Sequence, residues 1–377
     1  MALEPGRRAT AIPVRSALLG ATLGTLGVTA VLVFGASLDH LAATPQLYGW
    51  GWDTTVEPNA QPIPRASGKC GDVDTAIADD PQLDSVAAVC LEGVEVDGRP
   101  VTGWFPRPLR GTVTPSIVTG RAPAARGEVA LGKATLDAIG KGVGDTVRVR
   151  GGTTTDDFEI VGQVVLPHLS EEDTDPIAEG AFFARGVIDN LFEPIASPNL
   201  YVLADFADSV DRDALPRRGD GAWVLASGWG TRPAPPSEIT RIEQVDDLPI
   251  YLGLLLAFLG AASVAHVVAV GVRRRRRDLA VLRAVGFSRR DVRATIAYQA
   301  TALTLVSLVV GIPVGFVVGR IVWSAVADGI GVASELSVPA LALVGMALSA
   351  LVVVNVIGAI GAMAAIRDRP AQVLAVE

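Results

Sequence analysis

The sequence predicts an α-helical membrane protein with four transmembrane helices and a mixed α/β extracytoplasmic domain between the first and the second. Three observations carry this. The apolar half of the 377 residues falls into blocks rather than spreading evenly. Four of these blocks reach the roughly 20 apolar residues needed to cross a bilayer. The arginines gather at the ends of the blocks that a four-span arrangement places on one side.

The four blocks are residues 16–38, 249–272, 294–323 and 338–366. The first, second and fourth contain no Asp, Glu, Lys or Arg, and the third contains only Arg320, near its far end. Uncharged runs of this length read as spans rather than as buried core helices. The first block exceeds the h-region of about 7–15 residues of a signal peptide and reads as an uncleaved anchor. Gly35-Ala36-Ser37 has the small-x-small form of a cleavage site, so cleavage stays the alternative reading.

Orientation follows from the basic residues. Arg7, Arg8 and Arg15 precede the first span, Arg273 to Arg277 follow the second, Arg283, Arg289, Arg290 and Arg293 precede the third, and Arg367 and Arg369 follow the fourth. Both termini are then cytoplasmic, as residues 1–15 and 367–377, in a multi-pass protein of the bacterial cell membrane. Residues 39–248 and the short loop 324–337 lie outside, and residues 273–293 form a cytoplasmic segment. Of the chain's 32 Lys+Arg and 40 Asp+Glu, 15 and 7 lie outside 39–248, leaving 17 and 33 within it, a net charge of −16. An acidic outer domain over a basic inner face argues against nucleic-acid binding. The arginine run suits anionic lipid heads or a cytosolic partner. The two cysteines, Cys70 and Cys90, both lie in the outer segment, where an oxidising compartment permits a disulfide. Two separate buried thiols are the alternative.

The outer segment reads as mixed α/β. From Asp39 to Arg110 it is rich in Pro and Gly with short apolar runs. Glu128–Leu131 predicts a strand, Lys133–Ile139 a short helix stopped by Gly140, and Val143–Arg150 a turn followed by an alternating strand with Val147 and Val149 on one face. Phe158–Leu166 predicts a further strand with a glycine break at Gly162, consistent with a bulge. Gly151–Asp157 is expected to be the hairpin loop and Ser170–Asp175 an exposed acidic loop.

In the cytoplasmic segment, Asp278–Val285 has helix-forming composition, with Leu279, Leu282 and Val285 along one edge and Arg283 beside it. Gly286 is a natural stop. Ser288 and Asp291 then form a capping-box start, with Phe287 and Val292 at the staple positions. A short amphipathic helix at a membrane face needs lipid or a groove on a soluble partner to bury its apolar edge. Within the spans, Gly20 and Gly24, and Gly311, Gly315 and Gly319, recur at four-residue spacing and would let helices approach closely. Pro313 is expected to kink the third span.

Motifs for chemistry are missing. The sequence has no phosphate-binding loop of the G-x-x-x-x-G-K-[ST] type, no H-E-x-x-H and no G-x-S-x-G, and its three histidines, His40, His168 and His266, are scattered. Neither catalysis, a metal site nor a bound cofactor is expected. No acid or base sits at the centre of a span, which disfavours an ion-coupled carrier. His266 and Asn355 are the polar residues there, each with an interhelical hydrogen bond as the plainer role.

The run from Arg273 through Asp278, Leu279, Arg283, Gly286 and Arg290 to Val292 resembles the corresponding stretch of FtsX-like, or MacB-like, ABC transporter permeases. The ending Arg369-Pro-Ala-Gln-Val-Leu374 resembles their C-terminal signature, so that residues 249–375 are similar to an FtsX-like permease domain. Gly127–Gly132 with Val143–Val147 is similar to their MacB-like periplasmic core. The resemblance implies a permease subunit with no enzymatic activity of its own. It would pair with a second permease unit, identical or different, and with cytosolic ABC ATPase subunits that bind the ATP. Asp278, Leu279, Leu282, Arg283, Gly286, Ser288 and Asp291 would form the ATPase-coupling segment. Movement of the outer domain would serve the export or extraction of a lipid, lipoprotein, peptide or drug, or the activation of an external cell-wall hydrolase. The opening Met1–Arg8 resembles the middle of longer, duplicated actinobacterial permeases, which leaves the chain readable as one half of such a protein.

Overall fold

A computed structural model describes residues 14–58, 75–167, 169, 177–192, 200–211, 223–225, 247–274 and 289–367. They form two compact units. One is helical, built from residues up to 39, 244–323 and from 336 on; the other comprises residues 40–243 and 324–335.

The helical unit contains α1 (Val14–Ala43), α4 (Asp247–Arg274), α5 (Arg289–Ile330) and α6 (Ala340–Arg367). Each apolar block of the sequence becomes a helix that outruns the block at one end or both. The largest excess is in α5, whose 42 residues continue through Pro313. Leu18–Ala43, Ala294–Ile330 and Ala340–Ile360 are long and apolar enough to cross a membrane, while the apolar stretch of α4, Tyr251–His266, is shorter.

The other unit is built on a sheet in which the described residues supply ten strands: β1 (Thr54–Pro58), β2 (Leu83–Val96), β3 (Arg99–Arg110), β4 (Ile117–Gly120), β5 (Glu128–Gly132), β6 (Thr146–Gly151), β7 (Thr154–Val164), β8 (Ala181–Phe183), β9 (Leu200–Phe206) and β10 (Trp223–Leu225). Their order is β10-β1-β9-β2-β3-β8-β5-β7-β4, with β6 bridging β2 and β7. The pairing is mostly antiparallel, but β3–β8 and β5–β7 are parallel. Two short helices, α2 (Lys133–Ile139) and α3 (Ile188–Leu191), complete the mixed α/β character.

Local chemistry explains these elements. Gly140 takes a left-handed φ of 66° and closes α2 by donating its N–H to Asp137 O, because glycine carries no Cβ to oppose that conformation. In β6, Val147 and Val149 are fully buried while Arg148 and Arg150 point outward, the period of a half-buried strand. At Gly162, β7 slips one residue against β5: Val129 pairs with Ile160 but Ala130 with Gly162, which leaves Val161 as a bulge. A Cβ at Gly162 would stand 2.4 Å from Arg121 O, so the neighbouring chain itself demands glycine.

One expectation is corrected and one gap is filled. The hairpin loop is not Gly151–Asp157. Gly151 pairs with Thr154, so the turn is only Gly152-Thr153, and the polar residues 154–157 form the exposed start of β7. The segment before Arg110, in which the sequence predicts no strand, carries strands. It holds the longest hairpin, β2–β3, turned at Asp97-Gly98 with φ of 49° and 84°, the positive angles that favour Asp-Gly in a two-residue turn.

The core of this unit gathers Phe105, stacked on Phe183 at 4.7 Å, with Phe158 edge-on to Phe183 at 5.4 Å and Val129, Leu131, Val147 and Ile160 around them. Cys90 lies in the same cluster and is disulfide-bonded. Cys70 and the acidic stretch 170–175 lie outside the described residues.

Candidate functional site

The candidate site is the helical unit, and α1 is its centre. One flank of α1 meets α4: a Cβ at Gly20 would fall 2.7 Å from Ser263 Oγ, and one at Gly24 would fall 3.0 Å from Gly260 Cα. The other flank meets α5: a Cβ at Gly311 would fall 2.7 Å from Thr25 Cβ, one at Gly315 2.5 Å from Leu26 O, and one at Gly319 3.0 Å from Ala30 O. Backbones this close allow van der Waals attachment where no hydrophobic drive separates helix from lipid. The glycines were legible in the sequence. Their partners Thr22, Thr25, Leu26 and Thr29 were not singled out, although their three- and four-residue spacing marks one helix face. Further along, Phe34 meets Trp323 edge-on at 5.8 Å.

Four hydroxyls inside the unit are satisfied on their own helices. Thr25 donates to Ala21 O, Thr304 to Ala300 O, Ser307 to Leu303 O and Ser349 to Met346 O, all at 2.9–3.0 Å. They therefore add no unpaired donor to the apolar interior. Asn355 bridges α6 to α5 by donating Nδ2–H to Thr301 Oγ1 at 3.1 Å, and also to Leu351 O. This is the plainer role expected for it. His266 is exposed. Between the four helices lies a mainly apolar cavity of about 170 Å³, bordered by Gly24, Thr25, Gly260, Thr304, Ser349 and Val353.

The outward faces are apolar. Leu254 and Phe258 on α4, Val309, Val317 and Ile321 on α5, and Leu341, Leu348 and Val352 on α6 are all more than half exposed. An exposed apolar surface of this extent marks contact with a membrane or a partner.

The segment that the sequence predicts to couple to an ATPase is reached only at its end. Asp278, Leu279, Leu282, Arg283, Gly286 and Ser288 lie outside the described residues. Helix α5 starts at Arg289, the residue after Ser288, and Asp291 sits in its first turn, where a carboxylate complements the helix N-terminus. Asp291 O accepts a hydrogen bond from Thr295 Oγ1 at 2.9 Å.

Residues 250–370, which hold nearly all of α4 and the whole of α5 and α6, match the model of the FtsX-like permease C-terminal domain. The chain carries an FtsX-like permease domain. The chain is also 28% identical over 214 residues to ABC transporter permeases of Mycobacterium bovis and Mycobacterium tuberculosis, a match covering 55% of this chain and 52% of theirs. The chain thus spans about half the length of the curated relatives it matches. The permease domain begins with α4, so α1, against which Gly311, Gly315 and Gly319 pack, stands before it in sequence, as does most of the sheet unit.

Proposed function

We propose that this chain is the membrane subunit of an ABC transporter. It would be driven by a separate cytosolic ATPase and work beside a second permease unit, with the sheet unit as an extracytoplasmic domain that moves when the helices move. One observation carries the reading. Residues 324–335 fold into the same unit as residues 40–243. A folded unit lies on one side of the membrane, so an even number of crossings separates residue 243 from residue 324. With α5 crossing once, α4 crosses once as well. The 28 residues of α4 reach about 42 Å at 1.5 Å per residue, more than the roughly 30 Å hydrocarbon core. This supports four spans, in which residues 273–293 would lie beside the cytosolic ends of α4 and α5, where an ATPase would dock.

The docking edge is read from the sequence as Leu279 and Leu282, with Asp278, Arg283, Gly286, Ser288 and Asp291 shaping the segment. A charge at Leu282 would lose apolar burial and desolvate a carboxylate, together several kcal/mol. Leu282→Asp should therefore leave the chain inserted in the membrane but abolish co-purification with the cognate ATPase and the stimulation of its ATP turnover in nanodiscs. Full association and full stimulation by the variant would remove the segment from that role.

A further inference from the structure

We infer that the loop after α5 is a strap through which α5 holds and moves the extracytoplasmic domain. The pull it would deliver rests on the span order proposed above; the strap itself does not. A connection between two spans needs only to join their ends through water. This one is bound along its length. Gly331, at φ 82°, ends α5 by donating its N–H to Ala327 O at 2.8 Å, and Val332 donates to the same oxygen. Val332 is buried. Gly331 is pressed against Ala178, where an added Cβ would stand 2.2 Å from Ala178 Cβ. Ala333 donates its N–H to Leu47 O at 3.2 Å, and Glu335 pairs with His40 at 3.5 Å.

The two places gripped are themselves fixed. Ala178 O accepts the N–H of Ala134 at the start of α2, Gly180 O accepts that of Gly132, and Gly180 N–H donates to the buried Thr135 hydroxyl. Leu47 sits in the buried turn Pro45–Tyr48 that follows α1. The strap thus holds the edge of α2 and β8 together with the entry of the chain into the domain. Because Gly331 follows α5 without a break, α5 cannot shift along its axis without drawing on both places. The domain then has four chain attachments, at α1, α4, α5 and α6, although its sheet is inserted in sequence only between the first two.

The test uses the full chain in nanodiscs. Amide hydrogen exchange should show residues 331–335 protected at least tenfold over an unstructured peptide. Gly331→Val places a branched side chain at a left-handed angle against Ala178, and Ala333→Pro removes the donor to Leu47 O. Each should lose that protection while β6 and β7 keep theirs. A genetically encoded spin label at Thr153 and another at Ile321, both exposed positions, should report a distance distribution at least twice as broad in either variant as in the parent chain. If Gly331→Val also deprotects β6 and β7, the domain has unfolded and Ala333→Pro decides. An unprotected strap in the parent chain would overturn the inference. So would an unchanged distance distribution in a variant whose strap has been released. Neither outcome touches the ATPase-docking proposal, which is read by co-purification.

Discussion

Glu128 shows how one side chain can be assigned a measurable role. Its carboxylate accepts hydrogen bonds from the Arg121 guanidinium and from the N–H groups of Ala124 and Ala125, pinning the turn that leads into β5. Chiefly through Arg121, and then through the two backbone donors, its pKa falls from 4.5 to about 2. A group lowered on folding stabilises fully above its unfolded value, and that contribution is lost as pH falls through the folded one. Part of the domain's stability should therefore disappear between pH 4.5 and about 2, and Glu128→Gln should flatten that interval in fluorescence-monitored unfolding. An equally steep acid limb in the variant would rule the pair out as its source. Asp97, at the β2–β3 turn, lies the same way: burial raises its pKa, but hydrogen bonds from Lys141 and the Arg148 N–H outweigh this and hold it low. For the cysteines, we propose the Cys70–Cys90 pair. It would close a loop of about 20 residues, worth roughly 3 kcal/mol in the chain-entropy view. Mass spectrometry of the unreduced protein should show the linked peptides, and two alkylatable thiols would refute the pairing. Residues such as Gly140, Val147 and Val149 were legible because their roles are set by neighbours within one turn or one strand. Gly331 was not, because the partner that demands glycine there is Ala178, more than 150 positions away.

Among the elements, the contact of α1 with α5 makes the sharpest claim. A side chain at Gly315 must displace backbone, since Leu26 O stands 2.5 Å from the position of its Cβ, whereas a Cβ at Gly345 of α6 meets nothing within 4 Å. Overpacking a close contact costs about 1–3 kcal/mol. Gly315→Leu should lower the thermal midpoint in detergent by several degrees or prevent accumulation, and Gly345→Leu should leave the midpoint within one degree. Equal effects would show that close packing at Gly315 is not what holds these helices. The four helices could be read from the sequence because length and absence of charge suffice to mark them. The β2–β3 hairpin could not, because β2 is buried on both faces over much of its length and shows no clean alternation, and only Asp97-Gly98 signalled its turn. The hairpin β6–β7 is legible from its alternation, but its loop reads too long in the sequence, since threonine and aspartate on an exposed strand face look like loop residues.

The whole molecule is two folded units threaded by one chain, and the decisive property is which parts share a side of the membrane. In the sequence, the proposed order rests on the basic clusters and the acidic balance of residues 39–248. The folding of residues 324–335 with residues 40–243 supports the same proposal by a separate route, through packing rather than charge. The most direct measurement is labelling of single introduced cysteines in intact cells with a thiol reagent that cannot cross the membrane. Thr153→Cys, at the β6–β7 turn, and Asp328→Cys, near the end of α5, should both react from outside, and Arg290→Cys, at the start of α5, should react only after the membrane is permeabilised. Reaction of Thr153→Cys and Asp328→Cys from opposite sides, or of Arg290→Cys from outside, would contradict the four-span arrangement and the permease mechanism built on it.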